Sequence, residues 1–208
     1  MLFRSKFKCK LEDGNVAQRV EAIQDAAPGM RVVVDPNERF YRLEDALGIA
    51  RRLEGRDVLF EDPFPKGDLR DYCRFRQETS VPVAPHFQNA RQLIDAIHLG
   101  AADAFNVAPS DWNFLEMAAV ARAGDLPVWQ ASNVDLGVFD AFRLHASAAV
   151  SNCTLGSDLC GNFVHEHSLL NEPLVKDGYA IVPDRPGLGV ELDWEAVAHY
   201  AVFSEEWN

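Results

Sequence analysis

Nowhere do the 208 residues approach the ~18 consecutive apolar positions that a membrane-spanning helix needs, so a membrane partner is not expected. Cysteine is scarce: Cys9, Cys73, Cys153 and Cys160 form no CxxC pair and no zinc spacing, and they are too few for a disulfide framework in a chain of this length. They read as reduced thiols. Basic residues are the minority, 20 Lys and Arg against 32 Asp and Glu for a net charge of −12, which argues against a broad phosphate-backbone footprint. Nucleic acid is not an expected partner, and a small anionic substrate requires positive charge concentrated locally. Neither GxGxxG nor GxxxxGK[ST] occurs, which removes the usual signature of an open, nucleotide-binding sheet. The opening Met-Leu-Phe-Arg-Ser-Lys lacks the following apolar segment of ~7–15 residues that marks a secretory signal, so a cytoplasmic location is the expectation. No linker, low-complexity tract or break in composition divides the chain, and residues 1–208 read as one domain.

What is present is an alternation of short β-rich runs with amphipathic stretches. The runs are Phe7–Leu11, Arg31–Val34, Val58–Phe60, Val81–Ala84, Ala104–Val107, Leu126–Trp129 and Asn152–Leu155. Between them, Val16–Ala27, Leu43–Leu53, Arg91–Leu99, Phe114–Ala123 and Leu136–Val150 carry apolar residues at helical spacing. The residues at the strand ends, Lys10, Asp35, Glu61 and His86, follow one another at intervals of 25, 26 and 25 positions. A repeat of ~25 residues per βα unit predicts an α/β fold of the TIM-type (β/α) barrel, in which strand C-termini carry the active site. Seven runs do not close an eight-stranded barrel, so a first strand is expected to be missing.

Lys8 and Lys10 lie two apart in the first run, and on an extended strand they share a face. Two ammonium groups at a barrel mouth depress each other's pKa and make one of them a usable general base; the plainer reading is a solvated strand near a chain end. Asp35 opens Asp-Pro-Asn and Glu61 opens Glu-Asp-Pro, each at the end of an apolar run. Each is an ordinary turn carboxylate when taken singly. At equivalent ends of neighbouring strands ~4.8 Å apart they can converge on one hard cation such as Mg²⁺. The next strand end supplies His86 as third ligand, a softer donor that would shift preference toward Mn²⁺, Fe²⁺ or Zn²⁺. His165 and His167 flank Glu166 and read as a polar surface loop rather than a second, zinc-like site.

Lys8-Cys-Lys10, Asp35-Pro-Asn37, Glu61-Asp62-Pro63, Val81-Pro-Val-Ala84 and the closing segment from Val182 to Asp193 together resemble the barrel domain of the enolase superfamily. The similarity is to its mandelate racemase, muconate lactonizing and glucarate dehydratase branches, and Asp35-Pro-Asn37 is most similar to the last. The resemblance implies a modified (β/α)7β barrel that at full length follows an N-terminal capping domain and forms a homo-oligomer. It also implies chemistry: a divalent metal, usually Mg²⁺, binds the carboxylate of a small acid and stabilises the enediolate formed when a base removes the α-proton. By position, Lys10 resembles the base and Lys8 its electrostatic helper, while Asp35, Glu61 and His86 stand at the metal-ligand positions. Asn37, Gln130, Asn133 and Asp158 are the candidate substrate contacts.

Two departures accompany the resemblance. The third ligand position holds His86, followed by the non-ligating Phe87, and the places of an opposing His–Asp base dyad are Ala131 and Ala108. One-base chemistry is therefore expected, most concretely acid-sugar dehydration. The alternatives are an isomerase, cycloisomerase or epimerase of the same superfamily, or a barrel that binds metal or ligand without turnover.

Overall fold

The computed structural model describes residues 5–8, 15–107, 113–132 and 134–202. The order begins β1 (Ser5–Lys8), α1 (Val16–Ala26), β2 (Val32–Asp35), α2 (Leu43–Leu53), β3 (Val58–Glu61) and α3 (Arg70–Glu78). It continues with β4 (Val83–Ala84), β5 (His86–Phe87), α4 (Ala90–Leu99), β6 (Phe105–Val107), α5 (Asn113–Ala123), β7 (Val128–Gln130) and α6 (Gly137–Ala148). A short α7 (Gly161–Val164), an antiparallel hairpin of β8 (Val175–Lys176) and β9 (Tyr179–Ala180), and α8 (Trp194–Tyr200) complete it.

All pairings from β1 to β7 are parallel, in the orders β1-β2-β3-β4 and β5-β6-β7. β4 and β5 are halves of one extended segment divided at Pro85, which has no N–H to give to a ladder. The ladder nevertheless continues across the break: Asp62 N–H donates to Ala84 O at 3.2 Å on one side, and Asn106 N–H to Pro85 O at 3.1 Å on the other. Beyond β7, the segment that reads as a strand at Asn152–Leu155 is not one; it is tied to β7 by Val128 N–H to Asn152 O (2.9 Å) and Asp158 N–H to Gln130 O (3.4 Å). The described pairings thus establish a parallel α/β sheet with a helix after each strand, and they do not include a contact joining its two ends into a closed barrel.

Both faces of this sheet are covered, which is why the strands read as unbroken apolar runs such as Val32–Val34 rather than alternating ones. Val32, Val34, Phe60, Val83, Phe105, Val107 and Val128 pack outward against the helices. Val33, Leu59, Ala84, Ala104 and Trp129 form a second, inner cluster, with Leu155 against it. Strand alternation therefore assigns each residue at a strand end to one face or the other. Among the described residues, no helix is long and apolar enough to cross a membrane.

The loops around α6 and α7 pack closely. Gly161 is buried, and a Cβ there would fall on the carbonyl oxygen of Asp135. Because that neighbour is backbone, it has no rotamer by which to give way. Gly161→Ala is expected to lower stability by about 1–3 kcal/mol, read as a lower denaturation midpoint in urea at unchanged slope.

Candidate active site

Counting two residues on from each member of the inner cluster gives the residues that cap it: Val33 leads to Asp35, Leu59 to Glu61, Ala84 to His86, Ala104 to Asn106 and Trp129 to Ala131. Asp35 and Glu61 are 2% and 3% exposed and end adjacent parallel strands, with Val34 opposite Phe60 in register. Lys8 is the register partner of Asp35, which extends the row to β1; Lys10 lies outside the described residues. Asn106, 1% exposed, donates from Nδ2 to Glu61 Oε1 at 2.6 Å across the segment between their strands.

The candidate substrate contacts do not all gather here. Gln130 follows Trp129 and so lies on the outward face, where its Oε1 accepts from Ser147 Oγ of α6 at 3.1 Å. It holds helix to sheet and is not placed to meet a ligand among the capping residues. Asp158 is on the inner side, accepting from the Trp129 indole N–H at 3.4 Å. Asn37 is exposed just past β2, its backbone N–H donating to Asp35 Oδ1 at 2.9 Å. Asn133 and Ala108 lie outside the described residues. His165 and His167 find separate partners, the carbonyl of Val134 (2.7 Å) and the carboxylate of Asp193 (3.6 Å), so they do not converge on one ligand.

His86, two residues past Ala84 on the inner face, makes its printed polar contacts with Asp62. Its backbone N–H donates to Asp62 Oδ1 at 2.7 Å, and its ring Nδ1 lies 4.0 Å from Asp62 Oδ2. No group of three His, Cys, Asp or Glu side chains able to hold a metal ion occurs among the described residues. The ring Nε2 of His86 is itself buried. Asp35 and Glu61 remain, and two carboxylates with the rest of the coordination left to water and substrate oxygen are a donor set that suits Mg²⁺.

Asp62 was hidden in the sequence behind its neighbour Glu61, where it reads as part of a turn. It is buried, and burial pushes its carboxyl up to about 6 against the opposing pull of Lys66. Lys66 Nζ lies 2.7 Å from Asp62 and 2.9 Å from Glu38, and Glu38 N–H donates to the Asp62 carbonyl at 2.7 Å. The loops after β2 and β3 are thereby strapped together and, through His86 N–H, to the segment after β4. They need such a strap: Asn37, Glu38 and Asp62 have φ of 49°, 61° and 43°, left-handed conformations that cost non-glycine residues of order 1 kcal/mol or more. Lys66→Met, which keeps the length and removes the charge, is expected to cost about 1–3 kcal/mol by leaving Asp62 without its cation. Thermal denaturation checks it, and a melting temperature within 1 °C or so of the wild type would refute the strap.

Residues 4–197 match the Enolase C-terminal domain-like family. Among curated relatives, Muconate cycloisomerase 1 of Rhodococcus opacus is 29% identical over 194 residues, 90% of this chain and 51% of its own length. N-succinylamino acid racemase of Amycolatopsis sp is 29% identical over 193 residues, covering 89% and 52%. A D-galactonate dehydratase family member of Enterococcus gallinarum (strain EG2) is 28% identical over 181 residues, covering 80% and 43%. The crystal structure of 2-chloromuconate cycloisomerase from Rhodococcus opacus 1CP superposes with a TM-score of 0.82 at 26% identity, over 96% of this chain and 57% of that one. The chain spans about half the length of the curated relatives it matches. With the family's sequence pattern running through nearly all of it, and with acidic residues capping the inner ends of parallel strands, the chain belongs to the Enolase C-terminal domain-like family.

Proposed function

We propose that this chain is the barrel portion of an isomerase that transfers a proton at the carbon next to the carboxylate of a small organic acid, with cycloisomerisation of a muconate-type acid as its most concrete form. The observation that carries the reading is the row formed by Lys8, Asp35 and Glu61 at consecutive parallel strands, in a chain whose relatives include muconate cycloisomerase. Acid-sugar dehydration, expected from Asp35-Pro-Asn37, has less support. The dehydratase relative is matched over a smaller share of both chains, and Asn37 is an exposed loop residue whose backbone serves Asp35.

The reaction type also suits the residues available. In a cycloisomerisation, one carboxylate adds to a conjugated double bond of the same molecule, and the resulting enolate takes one proton at carbon; the reverse removes that proton. One acid–base group suffices. Racemisation delivers a proton to the opposite face and calls for a second group, and the inner-face position two residues past Trp129 is Ala131, which holds no proton. Lys10 is assigned the proton, and Lys8 the role of keeping the neighbouring ammonium acidic enough to exchange it at neutral pH. Asp35 and Glu61 would hold the divalent cation, which when bound supplies positive charge to the enolate oxygen.

The test is solvent exchange. Muconolactone incubated with the chain and MgCl₂ in D₂O is expected to take up deuterium at the carbon next to its carboxylate, followed by proton NMR. No uptake above the protein-free rate would overturn the reading. Uptake by an N-succinylamino acid in place of muconolactone would transfer it to the racemase chemistry.

A further inference from the structure

The inner-face residue with no assigned work is Asn106. It interrupts Phe105-Asn-Val107, an otherwise apolar strand, and is as buried as the phenylalanine and valine beside it. A buried amide costs stability unless it is hydrogen-bonded, so an isosteric leucine would serve a purely structural strand better. Its register partners are His86 on one side and Trp129 on the other, which sets it in the middle of the capping row. From there Nδ2 reaches Glu61 Oε1 at 2.6 Å, a short, charge-assisted hydrogen bond between buried groups. The Oδ1 atom is buried with no hydrogen-bond partner among the described residues, so the amide is not shared with a structural network that would explain its presence.

Glu61 needs such a partner. A glutamate has one more rotatable bond than an aspartate, and Asp35 is already oriented by the backbone N–H of Asn37. Fastening one carboxylate oxygen of Glu61 selects the rotamer that the other oxygen presents to a ligand, which is the job that outer hydrogen bonds do for carboxylates at cation sites. We propose that Asn106 is a positioning residue that acts through Glu61, holding its carboxylate in the orientation that binds a divalent cation beside Asp35. This rests on the reading of Asp35 and Glu61 as the cation-binding pair. The neighbour that serves Glu61 thus comes from β6, while Asp62 accepts from the backbone N–H of His86 at the start of β5.

The experiment uses Mn²⁺ alone as probe, with the full chain, Asn106→Leu, Asn106→Ala and Glu61→Gln. Binding is followed by titration, and electron paramagnetic resonance spectra are taken at protein excess so that all Mn²⁺ is bound. The expected result is saturable one-site binding by the wild type, weakened about 10–100-fold in both Asn106 variants. Their bound-Mn²⁺ spectra are expected to match that of Glu61→Gln and to differ from the wild type, a change that loss of packing alone would not produce. Alanine stands in where leucine prevents folding. Wild-type affinity and spectrum retained in either folded Asn106 variant would overturn the proposal, and so would a wild-type chain that binds no Mn²⁺. Because no substrate is involved, a failed exchange reaction alongside the expected Mn²⁺ behaviour would overturn the functional reading and leave this one standing.

Discussion

Lys10→Ala is expected to slow deuterium exchange into muconolactone by about 10²–10⁴-fold, the range spanned by positioned acid–base groups. The expectation comes from the strand pairing. Lys8 is in register with Asp35, so β1 ends beside the carboxylate row, and Lys10 is two residues further on in the sequence. Lys8→Ala should act differently. Removing one ammonium relieves the like-charge repulsion on the other, so the pKa of Lys10 rises and the ascending limb of the exchange profile moves to higher pH. At neutral pH the Lys8 variant would be slower, and it would recover as the pH is raised, whereas Lys10→Ala would stay slow throughout. A rate–pH profile from 6 to 10 for the two variants separates these behaviours. Exchange by Lys10→Ala within tenfold of the wild type across that range would remove Lys10 from the reaction.

How much of this was legible in the sequence depended on whether one residue's neighbours were enough to interpret it. Asp35 and Glu61 announce themselves because each is a carboxylate directly after three strand-forming apolar residues, Val32–Val34 and Val58–Phe60, which marks the end of a buried strand. Asn106 does not: within Ala104–Val107 it looks like a flaw in an apolar strand, and only the pairing of β5, β6 and β7 shows it reaching Glu61. Gln130 reads as a loop residue because the expected strand stops one residue short of it. The strand expected at Leu126–Trp129 runs Val128–Gln130, and the parity set by Trp129 inside sends Gln130 out to Ser147. Helix α3 escaped because its exposed positions are nearly all charged or polar; of Arg70–Glu78 only Tyr72 and Phe75 are buried. The hairpin β8–β9, by contrast, was within reach. Asp177-Gly178 between two short runs is a standard two-residue turn signal, and the pair adopts the φ of 52° and 77° that such a turn requires.

Arg143→Met is expected to cost about 3–5 kcal/mol of stability, the largest structural effect of any single change considered. Arg143 is 1% exposed, its Nη2 lies 2.6 Å from Asp135 Oδ2, and its guanidinium carbon sits 4.7 Å from the centre of the Phe139 ring. Asp140, one turn earlier on α6, is also buried. Burial pushes the Asp140 carboxyl up to about 6; Arg143 and His165 hold it down, and Asp135 adds to the rise. Removing the cation leaves two acidic groups facing each other in a loop that also closes over Gly161. The deficit should depend on pH with a definite sign. Asp140 has a folded pKa above its ordinary 3.8, so its favourable contribution is complete below that value and is lost as the pH rises through about 6. Without Arg143 the carboxyl moves higher still, the loss is steeper, and the variant's deficit is larger at pH 8 than at pH 5. Urea denaturation at the two pH values measures it. The neutral combination of Asp135→Asn, Asp140→Asn and Arg143→Met is expected to recover most of the stability, because the cost lies in the uncompensated charges rather than in the arginine's absence. A deficit of equal size at both pH values, undiminished in the neutral combination, would mean that Arg143 stabilises α6 by packing against Phe139 and not by its charge.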